Sequence, residues 1–585
     1  MKDYKNFQVA SYVYAYYLDR ADEQEIQYGI DYFNRYIPLK KVYLETHRGL
    51  VRVPREKMEK AIAVYQKNGI EVSGGITSTG TLPGNPKPSI FDTFCFTDPD
   101  YRKEYLEIVR YTASLFDEII LDDYFFTACR CEQCIEAKGT KSWDQYRLDL
   151  MEEVSHEIVD LAKSVNPKIN FIIKYPNWYE SYQANGYNPE KQKDIFDMVY
   201  SGTETRNPCY SQQHLQRYLS YSIIRLLDNV APGRNGGGWI DLGGSSDNIN
   251  FWLEQANLTM LARARELMLF NFFTMVDSPA LPPLGQQFYR IDALLDHAGQ
   301  PVGVSLYEPY NAEGEDQVVN YLGMGGIPFE PTPEFKSDAP VIFLTAASAH
   351  DPAIVGKVEA YVRQGGRAIA TNGFFRAVYD QGIKDLTTVR LTNRHVSGKI
   401  YMIDHYNTNA GAFAEASDPI SFEVLDYKTN STWGDVLMQA DEDNFPILTE
   451  DNYGRGKFYI LNLPDNFADL YKLPKEVWRM IRKDFAFGTP VYLGSKARYN
   501  LFTYDNDVFG VSSYRPMRET LEVVVAGADI RGIRDIETGL TLTSSWQLPV
   551  PSRRGDSATV EAEAPEFVYQ VPMMPGQLRF FQLLR

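Results

Sequence analysis

The chain reads as an α/β protein: a (β/α)8 TIM barrel over residues 1–298, a smaller α/β domain over 299–489, and a C-terminal antiparallel β-sandwich over 490–585. Three observations carry that expectation. Strand-like apolar runs alternate with amphipathic ones eight times in the first domain, the number and length of a (β/α)8 barrel. The alternation changes character near Gly299, and after Pro490 the runs become short and strand-like.

The eight expected barrel strands are 7–17, 41–45, 70–76, 118–123, 170–175, 198–202, 238–242 and 267–274, with amphipathic stretches at 54–68, 100–115, 143–165 and 248–265. No G-x-G-x-x-G opens the chain, which counts against a dinucleotide fold. In the second domain, runs at 302–306 and 341–346, helices at 317–322 and 352–364, and the segment Gly365-Gly366-Arg-Ala-Ile-Ala370 predict a parallel sheet that continues through 454–461 and ends with a helix at 475–485. The sandwich strands are expected at 500–504, 508–513, 520–525, 567–571 and 578–584.

A net charge of -18 argues against nucleic acid or an anionic membrane surface as partner. No run of about 20 apolar residues is present to span a bilayer. The first residues, Met1-Lys-Asp-Tyr-Lys-Asn-Phe, lack the apolar core of a secretory signal, so a soluble cytoplasmic protein is expected, or a periplasmic one if a leader was removed. Aromatic residues make up 14% of the chain, enough to fill a large core and still leave rings for stacking on sugars.

The stretch Glu118-Ile-Ile-Leu-Asp-Asp-Tyr-Phe-Phe-Thr-Ala-Cys-Arg-Cys-Glu-Gln-Cys134 organises the reading. A strand ends in two carboxylates, Asp122 and Asp123, and three cysteines follow at C-x-C-x2-C spacing. With Cys95 from the loop after the third strand, Cys129, Cys131 and Cys134 make four thiolates, the set of a closed structural Zn2+ site with no position left for water. Cys209 remains as a lone small core residue.

The order of Cys95, a carboxylate-bearing strand end and Cys129-Arg-Cys-Glu-Gln-Cys134 resembles the zinc cluster of glycoside hydrolase family 42 β-galactosidases. The run from Val341 through Tyr361-Val-Arg-Gln-Gly-Gly366 is similar to that family's middle domain, which has a flavodoxin or glutamine amidotransferase-like fold and makes trimers. The resemblance implies a homo-oligomer, a trimer by analogy, and a glycoside or oligosaccharide as substrate. The chain departs from the family at the catalytic positions. Leu121-Asp-Asp-Tyr124 stands where the family has Asn-Glu, and Trp239-Ile-Asp-Leu-Gly-Gly244 where it carries its nucleophilic Glu.

Glycosidic cleavage needs two opposed carboxyl groups, one ionised and one protonated. Strand ends offer Glu45, Asp122, Asp123, Glu204, Asp241 and Asp277. A fourth-strand Asp with a sixth-strand acid resembles the retaining α-glycosidase barrels of families 27, 31, 36 and 66. That resemblance implies Asp123 or Asp122 as nucleophile and Glu204 as acid/base. One Asp of the pair is expected to cap a helix or pair with an Arg, and Glu204 could instead be a loop acid held by Arg206. Glu45, His47, Arg48, Lys174, Trp178, Arg206, Trp239, Asp241 and Asn271 are expected around the substrate, with ion pairing or core packing as their alternatives. The rival expectations are a β-galactosidase that uses Glu45 or Asp241 and a carbohydrate-binding protein without a working acid pair.

Overall fold

The computed structural model describes residues 2–208, 215–241, 248–403, 412–548 and 564–585. It divides into two compact units, Met1–Asp296 and His297–Arg585. The first is a closed barrel of eight parallel strands: β1 (Gln8–Val13), β2 (Leu39–Arg48), β3 (Glu71–Ile76), β4 (Glu118–Leu121), β5 (Asn170–Tyr175), β6 (Met198–Gly202), β7 (Asn235–Asp241) and β8 (Glu266–Phe270). Each pairs in parallel with the next, and β1 closes the ring by pairing with both β2 and β8.

Side chains two apart on a strand share a face, and that period sorts the interior into layers. Ala10, Tyr43, Ile120, Ile172, Tyr200 and Met268 form an apolar middle layer. Two residues further along the same strands lie Tyr12, Glu45, Asp122, Lys174 and Phe270. Two residues earlier lie Gln8, Lys41, Glu118, Asn170 and Glu266. The barrel is therefore apolar at its waist and charged at both ends.

β1 stops at Val13 rather than running to 17, because a short helix, Ala15–Leu18, follows it. β8 and β7 are displaced as well. β8 stops at Phe270 because Asn271 caps a short helix, Phe272–Met275, its side chain accepting from Thr274 N at 3.3 Å. β7 begins at Asn235, ahead of the expected start, through Gly236-Gly237. A Cβ on Gly237 would stand 2.2 Å from Glu266 O, so glycine here admits a neighbouring strand rather than breaking its own.

The second unit holds a mixed nine-stranded sheet, not the parallel one expected. Val304–Tyr307, Phe329–Thr332, Val341–Leu344, Arg367–Thr371 and Gly456–Leu461 are parallel. Arg390–Ile403, Ala412–Asp426, Trp433–Ala440 and Asp443–Tyr453 extend the sheet antiparallel. The sequence hid these because Arg390–Ile403 is solvated over most of its length and bulged between Leu391 and His395, so its apolar alternation is lost. Two antiparallel sheets complete the unit as a sandwich, with Leu493, Val523 and Val571 from one packing on Leu501, Val511 and Phe581 from the other. No helix among the described residues is long and apolar enough to cross a membrane. Cys209, Leu242, Gly243 and Gly244 lie outside the described residues.

Candidate active site

A cavity of about 600 Å³ opens at the C-terminal end of the barrel strands, within the size range of small-molecule sites. Its charged groups come from the ends of five strands, β2, β4, β5, β6 and β7, and the loops beyond them. Asp122 follows β4, where its N–H still donates to Ile76 O of β3 at 2.9 Å. Lys174 is the penultimate residue of β5. Glu204 lies two residues beyond β6, and a Cβ on Gly202 would stand 2.6 Å from Glu204 Oε2, so glycine leaves room for the carboxylate to fold inward.

One ammonium ties the acids together. Lys174 Nζ donates to Glu204 Oε1 at 2.6 Å and to Asp123 Oδ2 at 3.1 Å, and lies 3.6 Å from Asp122 Oδ1. It also stands 4.1 Å from the centroid of the Trp239 ring. Burial opposes its charge, but Asp123, Glu204 and Asp122 outweigh that and hold it well above the ordinary lysine value.

The adjacent aspartates differ. Asp122 accepts from Arg48 Nη2 at 2.7 Å and from the Asp123 N–H at 2.8 Å, and lies 3.1 Å from Thr77 Oγ1, whose proton goes to Glu45. Burial works against its ionisation, yet Lys174 and Arg48 keep its carboxyl below the usual range. Burial, and after it the neighbouring carboxylates of Asp122 and Glu204, push Asp123 up to about 7 against the pull of Lys174. The site therefore pairs a firmly ionised carboxylate with one that holds a proton near neutrality.

Arg48, Asp122, Asp123, Lys174, Trp178, Glu204, Arg206, Trp239 and Asp241 all line the cavity. Arg206 is paired with Asp241, Nη2 to Oδ2 at 2.7 Å, on the rim. Trp239 is 2% exposed and stacks on Phe270, which makes it floor rather than an open platform. Trp178 forms part of the wall, its Nε1 buried without a partner.

Glu45, His47 and Asn271 are not among the lining residues. Glu45 is saturated: it accepts from Tyr12 OH at 2.8 Å, Ala15 N at 2.7 Å, Arg48 Nε at 3.0 Å and the Thr77 hydroxyl. It fixes Arg48, which in turn fixes Asp122. His47 Nδ1 pairs with Thr77 O at 3.0 Å, and burial pushes its pKa down to about 4, so it is neutral. Asp277 accepts from Tyr28 OH at 2.6 Å and is likewise not a lining residue. Sequence reasoning had not placed Phe91, Tyr124, Phe126 or Asn177 on the wall. Asn177 Nδ2 donates to Glu204 O at 2.7 Å, and its position directly before Trp178 was the available signal.

Beside the cavity, the sulfurs of Cys95, Cys129, Cys131 and Cys134 lie within 4.8 Å of one another and could hold a metal ion. Three of the separations are 3.5, 3.6 and 3.8 Å. Four sulfurs about 2.3 Å from a tetrahedral ion stand about 3.8 Å apart, so the cage fits such an ion. It joins the loop after β3 to the loop after β4, which carries Asp122 and Asp123.

Residues 1–289 match the family model "Probable glycosyl hydrolase, catalytic domain", and residues 299–466 match "Uncharacterized protein SSO3021, second domain". The chain is 23% identical over 503 residues to Uncharacterized protein SSO3021 of Saccharolobus solfataricus, covering 78% of this chain and 82% of that one. Its fold is similar to that of alpha-L-fucosidase isoenzyme 2 from Paenibacillus thiaminolyticus, with a TM-score of 0.67 at 12% identity over 100% of both chains. It is also similar to the beta-galactosidase from Bacillus circulans sp. alkalophilus, with a TM-score of 0.61 at 11% identity over 99% of this chain and 100% of that one.

Proposed function

We propose that this chain, whose barrel is a glycosyl hydrolase catalytic domain, is a retaining exo-glycosidase that removes terminal sugars from oligosaccharides or simple glycosides. The observation that carries the reading is the ammonium shared by Asp123 and Glu204. Their nearer oxygens can be no farther apart than the sum of its two contacts, 3.1 and 2.6 Å. That bound is compatible with the spacing of roughly 5–5.5 Å between carboxyl groups used for retention. Asp123 is the nucleophile. It bonds to the anomeric carbon as Glu204 gives a proton to the departing oxygen; Glu204 then takes a proton from the water that releases the sugar from Asp123. Asp122, already engaged by Arg48 and the main chain, positions the loop. Asp241 is occupied by Arg206 and Glu45 by its own network, which disfavours a β-galactosidase chemistry built on either.

A second reading exchanges the two roles, and the raised carboxyl of Asp123 favours it, because a group protonated near neutrality is suited to be the acid. The pH profile separates them. If Asp123 is the nucleophile it must be ionised, and kcat/KM falls as pH drops below about 7. If it is the acid, the loss comes as pH rises through the same value.

Zn2+ fits the four-thiolate cage as a closed structural site held by Cys95, Cys129, Cys131 and Cys134; it supplies order to the loop and no chemistry. The family resemblance of the second unit supports a homo-oligomer, a trimer by analogy. The experiment is a panel of aryl glycosides, including α-L-fucosides and β-D-galactosides because similar folds carry those names. Wild type is compared with Asp122→Asn, Asp123→Asn and Glu204→Gln, with and without azide. Loss on the order of a thousandfold for Glu204→Gln, with azide giving a glycosyl azide of the substrate's own anomeric configuration, supports the assignment. Unchanged rates for both Asp123→Asn and Glu204→Gln end it.

A further inference from the structure

The mouth of the catalytic cavity carries a structure the hydrolytic pair does not use. Ile90 and Phe91 are 55% and 64% exposed, two consecutive large apolar side chains on the loop between β3 and the thiolate cluster. Isolated exposed apolar residues are common, but these are held deliberately. Phe91 and Asp92 both adopt left-handed backbone, at φ 57° and 55°, a conformation uncommon for a side chain as bulky as Phe91. The turn is pinned by Gly80 N to Asp92 O at 2.8 Å and Thr93 N to Ile90 O at 3.2 Å. Phe91 presents its ring at 90° and 5.9 Å to that of Tyr124, the residue directly after Asp123, and both line the cavity.

We propose that Phe91 and Tyr124 form the leaving-group subsite, an aromatic platform that takes a ring-bearing aglycone such as a second sugar or an aryl group. The inference rests on the glycosidase reading and deepens it. The acids and the Trp239 floor lie at the inner end of the cavity, so the sugar to be released sits there and its leaving group projects toward the mouth, where these rings stand. An aromatic ring at that place stacks on the apolar face of a sugar or aryl ring and contributes nothing to a leaving group without one.

The test compares an aryl glycoside with the glycosyl fluoride of the same sugar, whose leaving group is a bare fluoride ion. Phe91→Ala is expected to lower kcat/KM for the aryl glycoside about tenfold, chiefly through KM. The fluoride should stay within about twofold of wild type, and Phe91→Tyr should restore the aryl substrate. Phe91 is solvent-exposed, so neither variant removes core packing. Equal losses on both substrates, no loss on either, or an altered oligomeric state in Phe91→Ala would overturn the subsite. A wild type that turns over neither class of substrate across the panel overturns the glycosidase reading itself, and the subsite with it.

Discussion

The two ends of the barrel hold similar ingredients in different states of completion. At the C-terminal end, Lys174 joins Asp122, Asp123 and Glu204 beside a cavity of about 600 Å³; at the N-terminal end, Lys41 pairs with Glu118 near Glu266 beside one of about 550 Å³. Both ends split their carboxyls. At the lower end burial raises Glu266, while Lys41 overcomes burial and holds Glu118 below the usual range. The lower acids, however, are fully engaged within the fold. Glu118 also accepts from Ser73 at 3.0 Å and Asn170 at 2.7 Å, and Glu266 from Tyr43 and Tyr200 at 3.1 Å and Gln8 at 2.7 Å. At the upper end Asp123 and Glu204 share one ammonium inside an aromatic wall. A divided pair of acids is therefore not enough to make a catalytic site. What distinguishes the upper pair is that Asp123 and Glu204 both hydrogen-bond to one ammonium and stand at the C-terminal strand ends, where barrel loops converge.

The sharpest way to break that comparison is to neutralise acids at both ends. Asp123→Asn or Glu204→Gln should lower kcat/KM on the order of a thousandfold or more while leaving the fold intact. Glu118→Gln and Glu266→Gln should leave kcat/KM within about threefold and lower stability by roughly 1–3 kcal/mol in urea unfolding. Comparable activity losses at both ends would dissolve the distinction.

Removing the two lysines gives the next largest difference. Lys174→Met takes a cation from between Asp123 and Glu204, so Asp123 should hold its proton to higher pH. The kcat/KM profile should move toward alkaline pH, with turnover down on the order of a hundredfold at neutrality. Lys41→Met should leave the profile where it is.

Cys131→Ser removes one ligand from the cage beside the Asp122–Asp123 loop. Metal content by mass spectrometry should fall from about one zinc per chain, and activity by about tenfold, as the loop loses its clip. A variant without metal but with full activity would show the cage to be remote from the site's order.

The smallest effect at the site concerns its support. His47 is buried neutral with its pKa lowered to about 4, so the unfolded chain takes up a proton that the folded one refuses. The stability this contributes is present above about pH 6.5 and is lost as pH falls from there toward 4, by about 2 kcal/mol between pH 7 and 5. His47→Gln should flatten that part of the urea-midpoint profile without moving the pH dependence of catalysis.

The barrel was legible because strand-like apolar runs and amphipathic runs alternate eight times over the first domain. Cys129, Cys131 and Cys134 were legible from their spacing, and Cys95 from its place in the loop after the third strand. Which acids stay available was not, because saturation depends on atoms far apart in sequence. Glu45 is satisfied by Tyr12 and the Ala15 N–H, neither of which its own segment reveals. Asn271 could have been read correctly, since Asn-Phe-Phe-Thr274 has the spacing of a helix cap. Phe91 had no signal at all: it lies in a loop without periodicity, and its place at the cavity comes only from where the turn delivers it.

The central claim is that a strand-four carboxylate and a strand-six carboxylate act on one bond through a covalent intermediate. Incubation with a 2-deoxy-2-fluoro glycosyl fluoride of the preferred sugar, followed by mass spectrometry of the digested protein, reads this directly. The account predicts one added glycosyl group on the peptide that contains Asp123, absent in Asp123→Asn. A label on Glu204, or no label while the wild type releases the inverted anomer from ordinary substrates, would contradict it.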